Sequence, residues 1–103
     1  MKLRLHSMAE ADLWSGFMFY ERQRHGLGDY FLSCLDSDVE SLKLYAGIHR
    51  RVFGYHRLLS KRFPVAIYYD QHADEVRIWR ILDCRRQPGW IKAQLSRAPD
   101  WGP

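Results

Sequence analysis

The residues with the most chemical capacity in this sequence are cations. His56, Arg57, Lys61, Arg62, Arg77, Arg80, Arg85 and Arg86 crowd its second half. The last two fall in "ILDCRRQPGW", where a run with strand character ends in adjacent arginines. Arginine binds carboxylate or phosphate through a planar fork of N–H donors, so the pattern points to an anionic partner. Tyr55, Tyr69, Trp79 and Trp90 lie close by in sequence and offer flat surfaces for a base or a partner helix. Charge is distributed to match. Residues 1–49 carry five Lys/Arg against seven Asp/Glu, and residues 50–103 carry eleven against five. The net charge of +4 therefore hides a half at −2 and a half at +6, which suits a nucleic acid or an acidic protein segment.

Catalytic and metal signatures are missing from the pattern. No Gly-rich phosphate loop, HExxH, zinc spacing or nucleophile elbow occurs. His49 and His56 stand seven apart, which is not a ligand spacing, so no metal and no cofactor is expected. Cys34 and Cys84 form neither a CxxC pair nor a disulfide framework, and free thiols suit a reducing cytoplasm. The apolar runs, such as "FPVAIYY", are too short to span a bilayer, so no membrane role is expected.

Those cations need elements to hold them. A 103-residue chain that is 47% hydrophobic and 15% aromatic is globular rather than disordered, and its length fits one domain. "MKLRLH" alternates as a strand. Ser7 and Glu10 have capping-box spacing, which starts a helix at Met8 with Ala9, Leu13, Phe17 and Tyr20 inward. "HGLGD" ends it. A second helix begins near Leu27 or Asp29, with Phe31, Leu35, Val39 and Leu42 as its stripe. So short a connection makes the pair an antiparallel hairpin. From Val52 the period shortens: "VFGYHRLL", "FPVAIYY" and "EVRIWRIL" read as an antiparallel meander joined by "SKR" and "DQHAD". Pro88 opens a short final helix with Ile91 and Leu95 inward. The fold class is α+β: an N-terminal strand and a helical hairpin packed on one face of a twisted antiparallel sheet, with a short C-terminal helix. The other sheet face is expected open, with some of Arg57, Arg77 and Arg80 on it. Residues 1–95 form the domain, and residues 96–103 are read as a flexible tail. Trp14, Tyr20 and Tyr30 exceed the needs of one small core and are expected as exposed anchors for a partner.

This order of elements resembles the RelE/ParE superfamily of toxins from bacterial type II toxin–antitoxin systems, most nearly the ParE-like, plasmid-stabilisation branch. "LHSMAEADLWSGFMFYERQRHGLGDYF" is similar to that branch's opening helix and turn. "YHRLLSKRFPVAIYY" is similar to its central hairpin, and "ILDCRRQPGWI" to its closing strand, Arg-Arg, Pro and Trp. The resemblance implies a cognate antitoxin that wraps and neutralises the chain, with Trp14, Tyr20 and Tyr30 as candidate contacts. It implies one of two targets, DNA gyrase for ParE-type members or mRNA in the ribosome for RelE-type endonucleases. Arg57, Lys61, Arg80, Arg85, Arg86 and Trp90 are the candidate target or partner contacts. In the nuclease alternative, Arg57, Arg85 and Arg86 would be catalytic. The Arg that RelE-type nucleases carry early in the third sheet strand is absent here, where Val65, Ala66 and Ile67 stand. Trp90 comes nearest to their C-terminal Tyr, and indole is neither an acid nor a base near neutral pH. The resemblance therefore favours gyrase. An inactive interaction module is the remaining alternative.

Overall fold

The computed structural model describes residues 1–102. The elements follow in order: β1 (Lys2–Leu5), α1 (Ser7–Gln23), α2 (Leu27–Glu40), α3 (Leu42–Tyr45), β2 (Arg51–Val52), β3 (Tyr55–Leu59), β4 (Val65–His72), β5 (Glu75–Asp83) and α4 (Pro88–Leu95). The sheet order is β1-β5-β4-β3-β2. The later strands pair antiparallel as a meander, and β1 joins the edge parallel to β5, with Leu3 opposite Val76 and Leu5 opposite Ile78.

Alternation along β4 sorts its side chains between two cores. Val65, Ile67 and Tyr69 pack under the helices with Phe31, Leu35, Val39 and Leu42. Ala66 and Tyr68 face the opposite way, into a second cluster with Trp79, Leu82, Ile91 and Leu95. The second face is thus not open, as its alternation with cations suggested. The helix α4 lies across it, because Ile91 and Leu95 need an apolar surface and the helix-bearing face is already full. A bulge in β5, where Tyr68 opposes Arg80 and Tyr69 opposes Ile78, leaves Trp79 as the extra residue. It shifts the phase of the strand, so that Ile78 and Ile81 both reach the helix-side core.

The helical hairpin depends on two close approaches. A Cβ on Gly16 would lie 2.5 Å from the Phe31 ring, and one on Gly28 would lie 2.7 Å from the Phe17 ring. Each helix therefore offers a glycine to the other's aromatic ring. Glu21 reaches across the turn to accept the N–H groups of Gly26 at 3.0 and 3.1 Å and Gly28 at 3.0 Å. A carboxylate from the end of α1 thereby satisfies donors at the start of α2.

Several sequence expectations change. The helix α1 begins at Ser7, and its cap is His6, whose Nδ1 accepts the Met8 N–H at 3.1 Å. The capping box does not form because the Glu10 N–H that the Ser7 side chain would accept donates to His6 O at 3.1 Å, and the His6 N–H donates to Ile78 O at 2.9 Å, which keeps His6 in line with the strand. The run 52–59 is two strands rather than one. Phe53 and Gly54, at φ 53° and 89°, make a two-residue turn of the kind that favours tight hairpins. The β4–β5 turn is shorter than "DQHAD", since β4 continues to His72 and only Ala73 and Asp74 separate the strands. The segment after α4, read as a free tail, folds back, and Trp101 packs against the second core cluster.

Candidate functional site

The turn after β5 answers why two arginines stand there, and they differ in kind. Asp83 accepts the Arg85 backbone N–H at 2.8 Å and its guanidinium at 3.0 Å (Nε) and 2.7 Å (Nη2). The side-chain bonds from Arg85 hold the Asp83 carboxyl below its ordinary range, against the opposing effect of desolvation. Arg85 is therefore neutralised within its own turn. Arg86 has no carboxylate partner among the described residues. Its guanidinium carbon lies 3.8 Å from the Trp90 ring centroid. Pro88 at the first turn of α4 fixes the helix start and so places Trp90 there. Stacking occupies the face of the guanidinium and leaves its edge N–H groups directed outward.

Arg80, expected as a surface contact, is 7% exposed. Its Nε and Nη2 donate to Asp12 at 2.7 and 2.9 Å, and its Nη1 donates to Gln94 at 3.0 Å. Asp12 also accepts the Ile81 N–H at 2.9 Å. Arg80 thus ties α1, β5 and α4 together and is not free to meet a ligand. Asp12 was missed in the sequence, although its signal is visible: an acid between Ala9 and Gly16, within the apolar stripe of α1.

These groups line one cleft of about 570 Å³ between α1, the end of β5 and α4. Asp12, Ser15, Gly16 and Phe19 form one wall, Arg85, Arg86 and Trp90 the other, with Tyr20 and Phe31 beneath. Phe19 is half exposed at the rim. Tyr20, read both as an inward residue of the first helix and as an exposed anchor, is inward, buried against Phe31 and Phe63. Desolvation raises its phenol pKa, and the Arg85 charge partly offsets that rise. Small residues at 15 and 16 leave the space, and Arg86 supplies its unpaired positive charge.

The other candidates lie elsewhere. Trp14 is 61% exposed and packs edge-on against Phe17, and Tyr30 is 46% exposed beside Phe63. Both remain available to a partner. Lys61 and Arg62 line a second cleft of about 510 Å³ with Tyr30, Ser33, Ser37 and Asp38. Arg57 opposes Tyr68 across β3 and β4. Burial raises the Tyr68 phenol pKa, and the Arg57 charge opposes it. Burial raises the Cys84 thiol pKa, and the Arg57 and Arg85 charges partly offset that rise. The structure therefore gathers Arg80, Arg85, Arg86 and Trp90 in one cleft and leaves Arg57 and Lys61 outside it.

His49 and His56, seven apart in sequence, meet at Tyr69. Its hydroxyl accepts the Gly47 N–H at 2.9 Å and is hydrogen-bonded to His49 Nδ1. His56 stacks on the Tyr69 ring and hydrogen-bonds His49 O at 2.7 Å. Desolvation, then the His56 charge, lowers the His49 pKa, so this imidazole is neutral at pH 7. Among the described residues, no three His, Cys, Asp or Glu side chains group as a metal site, and no helix is long and apolar enough to cross a membrane.

Among solved structures, the chain is similar to one from the chromosomal ParDE toxin–antitoxin system of P. aeruginosa. The two share 25% identity at a TM-score of 0.68, over 79% of this chain and 92% of the other. No family model matches the sequence, and no curated protein matches it.

Proposed function

We propose that the chain is the toxin of a type II toxin–antitoxin module, ParE-like in kind, that a cognate antitoxin holds inactive. The observation that carries this reading is the likeness to a ParDE chain along nearly that chain's whole length. Acting in the cytoplasm, the free toxin slows growth by binding DNA gyrase, and the module stabilises the plasmid or chromosomal segment that bears it. The site chemistry supports a binding protein over a nuclease. Arg80 and Arg85 are neutralised by Asp12 and Asp83, so the cleft carries little uncompensated charge for an RNA backbone. Val65, Ala66 and Ile67 are buried and apolar. Trp90 cannot exchange a proton near neutral pH. Arg86, stacked and unpaired, is the residue best placed to hold an acidic group of the target or the antitoxin. The exposed rings of Trp14 and Tyr30 on the helical hairpin are the antitoxin's anchors.

The test is regulated expression in bacteria, with and without the antitoxin encoded beside it. Growth arrest with an SOS response and gyrase-dependent DNA breaks, relieved by the antitoxin, is the expected result. Cleavage within translated codons without an SOS response would assign the RelE-like endonuclease reading instead. Undisturbed growth with folded chain present would leave only an interaction module.

A further inference from the structure

The C-terminal segment is seated on the opposite side of the molecule from the helical hairpin, in a slot with its own chemistry. The Trp101 ring has the Arg4 guanidinium 5.5 Å and the Arg77 guanidinium 5.6 Å from its centroid. His6 meets it edge-on at 5.1 Å. Two main-chain carbonyls are taken as well: Arg4 Nη2 donates to Trp101 O, and His6 Nε2 donates to Asp100 O at 2.9 Å. His6 can be that donor because its Nδ1 is committed as acceptor to the Met8 N–H. Beneath lies Trp79, 2% exposed and edge-on to His6 at 4.7 Å. Its indole N–H has no hydrogen-bond partner, which is uncommon for a buried donor.

Nothing in this seat uses a strand ladder. Residues 97–102 form no helix or strand. They are held by one ring and two carbonyls, contacts that any extended peptide with an aromatic side chain can reproduce. From these contacts we infer that Arg4, His6 and Arg77 form a peptide-accepting slot, that Asp100–Trp101 occupies it as a displaceable strap, and that an extended, aromatic-bearing segment of a protein partner takes the same seat. The chemistry favours peptide over nucleic acid. Glu75 lies between the two guanidiniums, 3.6 Å from Arg4 and 3.1 Å from Arg77, and balances half their charge. The hydrogen-bond acceptors in place are neutral carbonyls rather than oxyanions. This inference does not depend on the toxin reading, since the slot lies outside the arginine cleft.

The test uses the full-length chain carrying Trp101→Ala, and as probe a hexapeptide of residues Arg97–Gly102, blocked at both ends and labelled with 5-fluorotryptophan. In the parent chain the tethered strap competes at high effective concentration, so the free peptide is excluded. Fluorine NMR should show saturable binding to Trp101→Ala at least about tenfold tighter than to the parent, and loss of that binding when Arg77→Ala is added. Circular dichroism establishes that each variant is folded. If Trp101→Ala is not, Trp101→Leu, which keeps an apolar cover over Trp79, replaces it in the same comparison. Equal binding to parent and variant, binding that survives Arg77→Ala, or preference of the vacant slot for an oligothymidylate over the peptide would overturn the inference. So would a failure of both Trp101 variants to fold, since the strap would then be part of the core.

Discussion

The two arginines after β5 make the sharpest prediction about single side chains. Arg86→Ala removes the unpaired, stacked guanidinium, and a buried arginine anchor is worth about 2 kcal/mol at an interface, or roughly thirtyfold in affinity. Growth inhibition, antitoxin affinity, or both should fall by that order, and measuring them separately assigns the residue to the target or to the antitoxin. Arg85→Ala breaks an exposed pair and should leave the melting temperature nearly unchanged. A double variant that melts well below the parent yet stays fully active would show the pair to be structural. A second prediction concerns acid. His49 is held below its ordinary pKa of 6.5, so its share of stability is complete above pH 6.5 and is lost as pH falls through the folded value. Protonation places a charge in this desolvated site beside His56. Thermal melts between pH 7.5 and 5 should show a loss that is much smaller in His49→Gln, which has no imidazole to protonate. Equal pH dependence in the two chains would refute this role for the cluster.

Helix packing carries its own consequences. Gly16→Ala would gain about 1 kcal/mol of intrinsic helix propensity but would place a methyl 2.5 Å from the Phe31 ring. Overpacking costs about 1–3 kcal/mol, so the net effect should be destabilising, and denaturant midpoints will show its sign. A larger loss is expected at Asp12. Asp12→Ala leaves Arg80 buried without its carboxylate and strips the Ile81 N–H of its acceptor. Breaking a buried pair from one side costs about 3–5 kcal/mol, a large part of a small domain's stability. A variant as stable as the parent would mean that water reaches Arg80. The same lesson applies to Asp38, buried in α2 and accepting from Ser60 Oγ at 2.7 Å. Acids on the inner faces of both helices tie the helical layer to the sheet.

For the molecule as a whole, each sheet face is covered by a separate layer. The hairpin layer displays Trp14 and Tyr30. The α4 layer carries Trp90, and the C-terminal segment extends it with Trp101. If an antitoxin binds the hairpin side as proposed, its release should leave the strap in place, which hydrogen exchange on β1 and β5 in the bound and free chain can check. Protection lost from β1 on antitoxin release would show that the two faces are coupled.

Periodicity in the chain was enough to establish the α+β order, the helical hairpin, the stripe Phe31, Leu35 and Val39 of α2, and the meander, because these follow from local spacing and from the need to bury one apolar face, while Leu42, expected on the same helix, is buried from the separate helix α3. The arginine pair at the end of β5 was legible as a group for the same reason: charge and turn chemistry are local. Which arginine is free was not. Asp83 lies two residues from Arg85, but Asp12 meets Arg80 across 68 positions, and only the packing of α1 against β5 brings them together. The meeting of His49 and His56 at Tyr69 and the parallel alignment of β1 likewise depend on contacts between distant segments, whereas the burial of Tyr20 agrees with the helical spacing that places it inward. Trp101 is the clearest case. Nothing in "SRAPDWGP" alternates or recurs, so local pattern reads it as free chain, while its partners Arg4, His6 and Arg77 stand at the other end of the sequence and in the last strand.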